Sequence, residues 1–129
     1  MMKMNPRVIL AALVGAAIGA AGAAAIHAAQ TKTPAGYMIA EENVTDSATF
    51  QKYAAQVPAT LAPFGGHYVV RGGKTVALEG EPPQRVVVVA FDSVEKARAW
   101  YDSPAYSAIR PIREGASKGR LFIAEGVTP

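Results

Sequence analysis

The chain is 129 residues long, carries a net charge of +3 and contains no cysteine, which excludes disulfides, thiol nucleophiles, iron–sulfur clusters and cysteine-based zinc sites. Lys3 and Arg7 precede a long apolar run. Without them the remainder is nearly neutral, at 11 basic against 10 acidic residues, and it has no basic block or basic–aromatic stripe for nucleic acid.

The apolar run from Val8 to Ile26 follows the short basic start as the core of a secretory signal does. Small residues from Ala23 to Ala29 offer cleavage after Ala28 or Ala29, although Ile26 or His27 would then sit where a small residue is usual. The alternative is an uncleaved anchor through residues 8–26, since a bilayer span needs roughly 17–25 residues. Either way the expected location of the folded part is periplasmic or secreted, with no twin-arginine pair. Residues 1–29 are therefore read as signal peptide or N-terminal anchor, 30–35 as a polar linker and 36–127 as one domain.

A first strand is expected over Tyr37–Val44, followed by a helix that Asp46 caps through the free amides of its first turn. Phe50, Tyr53, Ala54, Val57, Leu61 and Phe64 fall on one face of that helix. Pro58 is expected to kink or divide it, and Pro63 with Gly65-Gly66 to end it. His67–Arg71 reads as a second strand, with a bulge or turn at Gly72-Gly73 and an extended continuation over Lys74–Glu79. The β-branched run Arg85–Phe91 has no alternation and reads as a strand buried on both faces. Ser93 caps a second helix whose face is Val94, Ala97 and Tyr101. Ser103-Pro104 restarts a short helix that carries Tyr106 and Ile109 and is limited by Pro111. A last strand is expected over Arg120–Glu125.

This order is α+β, a ferredoxin-like βαββαβ plan with an N-terminal signal or anchor helix. Its helices can cover one sheet face, yet Val86–Phe91 and Leu121–Ala124 are apolar at consecutive positions. A homodimer with sheets packed face to face is expected to cover the other.

Tyr37-Met38-Ile39-Ala40-Glu41, Phe64-Gly65-Gly66, Val70-Arg71-Gly72-Gly73, Ala99-Trp100-Tyr101-Asp102-Ser103-Pro104-Ala105-Tyr106, Arg113 and Glu125-Gly126 resemble the bacterial domain-of-unknown-function family numbered 1330 (DUF1330). The resemblance runs from about Gly36 to Val127. It implies the dimeric α/β-barrel architecture shared with small monooxygenases and muconolactone isomerases, and it implies no established activity.

The candidate site residues are Arg71, Tyr101, Ser103, Tyr106 and His67, around a cleft between sheet and helices that would take a small organic acid or phenol. Arg71 can grip a carboxylate in bidentate fashion beside a permissive Gly-Gly turn, or form a structural bridge with Glu79 or Asp102. Tyr101 and Tyr106 offer hydroxyls and rings. Ser103 lacks a histidine partner and reads as a helix cap rather than a nucleophile. His67 is a candidate general base, histidine being the residue type suited to that role near neutral pH, but it has no evident carboxylate to orient it. Trp100 is a core or dimer-interface anchor. Glu41 and Glu42 point to opposite sheet faces, one to the cleft and one to solvent. One histidine in the domain leaves no conventional metal site, and no cofactor is expected. The alternative function is a non-catalytic dimeric interaction module of the cell envelope.

Overall fold

The computed structural model describes residues 33–129; the expected signal or anchor segment and the first half of the linker lie outside the described residues. Four strands and three helices follow in the order β1 (Gly36–Val44), α1 (Ser47–Leu61), a 3₁₀ turn (Ala62–Phe64), β2 (His67–Arg71), β3 (Arg85–Phe91), α2 (Val94–Tyr101), α3 (Pro104–Ala116) and β4 (Ser117–Glu125). The sheet is antiparallel with strand order β2-β3-β1-β4, the ferredoxin-like arrangement. No helix among the described residues is long and apolar enough to cross a membrane.

Strand alternation sorts the side chains by face. In β1, Met38, Ala40 and Glu42 are buried beneath the helices, while Tyr37, Ile39 and Glu41 stand half-exposed on the other side. The register carries this across the sheet: Met38 pairs with Val89 and Ile123, and Ala40 with Val87 and Leu121. On the opposite face Ile39 lies between Val88 and Phe122. Val86 and Val88 are only half-buried and Phe122 is exposed. The expected two-sided burial of β3 is thus met in full on its helix side, while on the other face only Ala90 is buried.

Helix α1 begins at Asp46, whose carboxylate accepts from the Thr49 amide at 3.1 Å and the Thr49 hydroxyl at 2.7 Å. Phe50, Tyr53, Val57 and Leu61 form its buried face, as the periodicity predicts. Pro58 does not divide it. The helix runs unbroken to Leu61 because the buried stripe on both sides of the proline holds it against the sheet. Pro111 likewise fails to limit α3, whose buried residues Tyr106, Ile109, Arg113 and Ala116 span it. That helix hands over directly to β4 at Ser117, earlier than the expected start at Arg120.

Two further expectations are corrected. The extended continuation over Lys74–Glu79 is not a strand, and Val76 and Leu78 are exposed there, with no neighbouring strand to bond. The bulge lies inside β2, between Tyr68 and Val70, rather than at Gly72-Gly73. Helix α2 turns Ala97 and Trp100 inward, with Val94 and Tyr101 only half-buried. Trp100 is fully buried, its ring centroid 4.1 Å from that of Tyr106, and its indole N–H donates to the Thr60 hydroxyl at 3.0 Å. The tryptophan is therefore a core residue whose one polar atom is satisfied.

Candidate functional site

Between the helix face of the sheet and α1 lies a cleft whose walls include Glu42, Phe50, Tyr53, Tyr68, Arg71 and Arg85. Its free volume is about 20 Å³, room for about one water molecule. The β1–β3 register sets Glu42 directly opposite Arg85, and α3 brings in Arg113 from above. Glu42 is 3% exposed and Arg113 9%. Charges are seldom buried so completely unless paired.

The pairing is loose. Glu42 Oε2 is 3.8 Å from Arg85 Nε, an ion-pair separation but too long for a hydrogen bond. Glu42 Oε2, Arg85 Nε and Arg113 Nε are all buried without a hydrogen-bond partner among the described residues. Arg113 otherwise lies 3.8 Å from Glu114 and beside the Tyr106 hydroxyl. Burial pushes the Glu42 carboxyl above its ordinary value, opposed by the nearby Arg113 and Arg85 charges.

Two tyrosines complete the cluster. Tyr53 and Tyr106 share a hydroxyl–hydroxyl hydrogen bond of 2.9 Å between α1 and α3. Burial is the main reason both hydroxyls hold their protons more tightly than usual, and the Arg113 charge pulls each the other way. Tyr68, on the far wall, is also raised by burial. Phenols held neutral in this way are donors and ring surfaces rather than phenolates.

Arg85 also forms the partition between this cleft and an outer groove of about 240 Å³ bounded by Ser47, Gln51, Gly72 and Gln84. Its guanidinium lies over the Phe50 ring at 5.2 Å. Gly72 makes room for it: with φ at 64°, a Cβ there would collide with the guanidinium. The position needs glycine both for its backbone and for this close approach.

The five residues singled out by sequence do not line one pocket. Arg71 stands at the cleft mouth with its guanidinium 4.3 Å above the Tyr68 ring. Neither expected bridge forms, because Asp102 is taken by Arg98 at 2.9 Å and Arg71 makes no ion pair among the described residues. Tyr106 is buried behind the cleft. Tyr101 turns the other way, into a lateral groove of about 570 Å³ beside β4 with Met38, Val94, Leu121 and Ile123, and carries Arg110 over its ring at 4.9 Å. Ser103 caps α3, accepting from the Tyr106 amide at 3.3 Å and donating to the Trp100 carbonyl at 2.7 Å. His67 is exposed at the start of β2, opposite Ala90 on the uncovered face.

Sequence reasoning missed Glu42, Arg85, Arg113 and Tyr53 as a group. The one available signal was Glu42 itself, a charge at an inward position of an apolar strand. A family model described as a domain of unknown function (DUF1330) matches residues 35–127. A protein of unknown function from Rhodopseudomonas palustris shares the fold at 17% identity and TM-score 0.63, over 84% of this chain and 94% of that one. SnoaB, described as a cofactor-independent oxygenase from Streptomyces nogalater, does so at 12% identity and TM-score 0.55, over 75% and 97%. A hypothetical Arabidopsis thaliana protein follows at 10% identity and TM-score 0.53, over 77% and 90%. These likenesses are of fold. The sequence matches no curated protein.

Proposed function

Since the chain belongs to the DUF1330 family, which is described as a domain of unknown function, its activity rests on its own side chains, and we propose that it binds a small organic acid or phenol at Arg85, where the cleft between the sheet and α1 adjoins the outer groove of about 240 Å³. One observation carries this reading: Glu42 and Arg85, both in the cleft wall, each bury a polar atom that has no hydrogen-bond partner among the described residues. A buried unsatisfied donor costs about 1–3 kcal/mol, and more when charged. A ligand bearing oxygen acceptors offsets that cost, and the Phe50 ring, which also lines the outer groove, favours a flat apolar remainder.

The test is a thermal-shift screen of small carboxylates and phenols against wild type, Arg85→Ala and Arg71→Ala. A ligand bound only by the native state raises its midpoint, by about 2.7 kcal/mol of stability at a hundredfold excess over Kd. The expected result is a shift in wild type that Arg85→Ala abolishes and Arg71→Ala, at the mouth, reduces. If no compound shifts the wild type, or all three proteins shift equally, the cleft is not a ligand site.

That outcome would favour a second reading, a non-catalytic dimeric module of the cell envelope. It is supported by the separation of Arg71, Tyr101 and Tyr106 into different surroundings. Under both readings the protein is exported through residues 1–29, as a cleaved leader or an anchor, and pairs with a second copy through the sheet face of Ile39, Val88 and Phe122. Fractionation of cells expressing the full chain tests the first statement, cytoplasmic protein refuting it. Light scattering tests the second: a monomer at micromolar concentration refutes the pairing, and Ile39→Arg is expected to produce one.

A further inference from the structure

The outer groove differs in chemistry from the ring-lined cleft behind it. Its lining carries one charge, the Arg85 guanidinium, and no carboxylate; Glu42, 3.8 Å from Arg85, lies on the cleft side and does not line the groove. The rest of the polar wall is neutral and consists of the Ser47 hydroxyl and the Gln51 and Gln84 amides. Gln84 is held from two directions. Its side-chain oxygen accepts from the Val44 N–H at 2.6 Å, and its backbone N–H donates to the Asn43 side-chain oxygen at 3.1 Å. With that oxygen engaged, the Gln84 amide nitrogen is left to donate to a ligand. Arg85 is fixed as well, between the Phe50 ring at 5.2 Å and the bare backbone of Gly72.

These groups divide a ligand into parts. The donors of Arg85 and Gln84 suit a carboxylate, which accepts several hydrogen bonds in one plane. Ser47 and Gln51 can each donate and accept, the property that matches an alcohol hydroxyl. The Phe50 ring suits the C–H face of a saturated ring, and about 240 Å³ has room for one such ring with its substituents. We propose that the groove takes a hydroxylated ring carboxylate of the sugar-acid class, its carboxylate on Arg85 and Gln84 and its hydroxyls on Ser47 and Gln51. This rests on the ligand-binding reading above and deepens it, by selecting hydroxylated acids from among small organic acids and phenols. No bond is made or broken.

The test is calorimetric titration of the purified protein with four probes. D-Glucuronate has both the carboxylate and the hydroxyls, cyclohexanecarboxylate the ring and charge alone, methyl glucoside the hydroxyls alone, and phenol neither. Glucuronate should bind about tenfold more tightly than cyclohexanecarboxylate, the effect of two added hydrogen bonds of ordinary net strength, and methyl glucoside and phenol should not bind detectably. Ser47 and Gln51 are exposed, so the double variant Ser47→Ala with Gln51→Ala should fold. It should bring glucuronate down to the level of cyclohexanecarboxylate and leave cyclohexanecarboxylate unchanged, whereas a merely structural role would move both. Gln84→Glu keeps an acceptor for the Val44 N–H and sets an anion beside Arg85, so it should abolish binding of both acids. Cyclohexanecarboxylate binding as tightly as glucuronate overturns the hydroxyl assignment and leaves the ligand site standing. Phenol or methyl glucoside binding as well as glucuronate overturns the carboxylate assignment. Binding by none of the four overturns the sugar-acid proposal, and the ligand site falls with it only when the wider thermal-shift screen is also blank.

Discussion

Removing one hydroxyl from the Tyr53–Tyr106 pair should destabilise the domain unequally, depending on which tyrosine loses it. The two oxygens are 2.9 Å apart with both side chains buried, and they bond to each other. In Tyr53→Phe the Tyr106 hydroxyl remains buried but keeps the favourable influence of the neighbouring Arg113 guanidinium. Its cost should fall near 1 kcal/mol, the low end of the roughly 1–3 kcal/mol for an orphaned buried group. In Tyr106→Phe both the Tyr53 hydroxyl and Arg113 lose their neighbour, and about 2–3 kcal/mol is expected. In the double variant neither hydroxyl is left orphaned, so the combined loss should fall short of the sum of the singles by about 1 kcal/mol or more. Urea melts of the four proteins at one pH measure this, and about 4–8 °C of Tm accompanies each kcal/mol in a domain of this size. Strict additivity, or a larger cost for Tyr53→Phe than for Tyr106→Phe, would refute the reasoning.

Glu42→Gln should raise stability at neutral pH. Folding raises the pKa of this carboxyl above 4.5, so the folded state binds the proton more tightly than the unfolded one. The resulting cost is fully present above the raised pKa and fades as pH falls towards 4.5. Urea melts should therefore show variant and wild type converging in acid, and a gap that stays constant with pH would contradict this. Gly72→Ala should lose about 1–3 kcal/mol through its positive φ, and displacement of Arg85 should weaken any ligand-induced thermal shift. Ser103→Ala should lose about 1 kcal/mol as an N-cap with the ligand-induced shift unchanged; a selective loss of binding would return Ser103 to the site.

The strands His67–Arg71 and Arg85–Phe91 and the caps Asp46, Ser93 and Ser103 were legible because each rests on local chemistry. A β-branched run favours extended backbone, and a short oxygen-bearing side chain satisfies free amides two or three residues ahead. The unbroken α1 and α3 were not legible, since what keeps a helix intact across Pro58 and Pro111 is burial of distant residues on both sides of each proline. Lys74–Glu79 misled for the complementary reason: Thr75-Val76-Ala77-Leu78 suits extended backbone, but no partner edge reaches it. The site was the least legible part. Glu42, Arg85 and Arg113 meet through the antiparallel register and the placement of α3 over the sheet, neither of which leaves a spacing in the sequence. Tyr101 and Tyr106, close in sequence and with ring centroids 5.6 Å apart, nonetheless serve different sides of the molecule.

The central position of β1 also constrains how this chain can fold. Its partners are β3 and β4, so Tyr37 near the start of the domain pairs with Ala124 near its end. A growing chain cannot complete its sheet until the final strand has been synthesised, and the two proline-containing helices have little local stability with which to wait. Such long-range closure slows folding. It also makes folding all-or-none: a chain truncated before Ser117 would leave the Met38–Ala40–Glu42 edge of β1 unpaired, an invitation to aggregation rather than a partial domain.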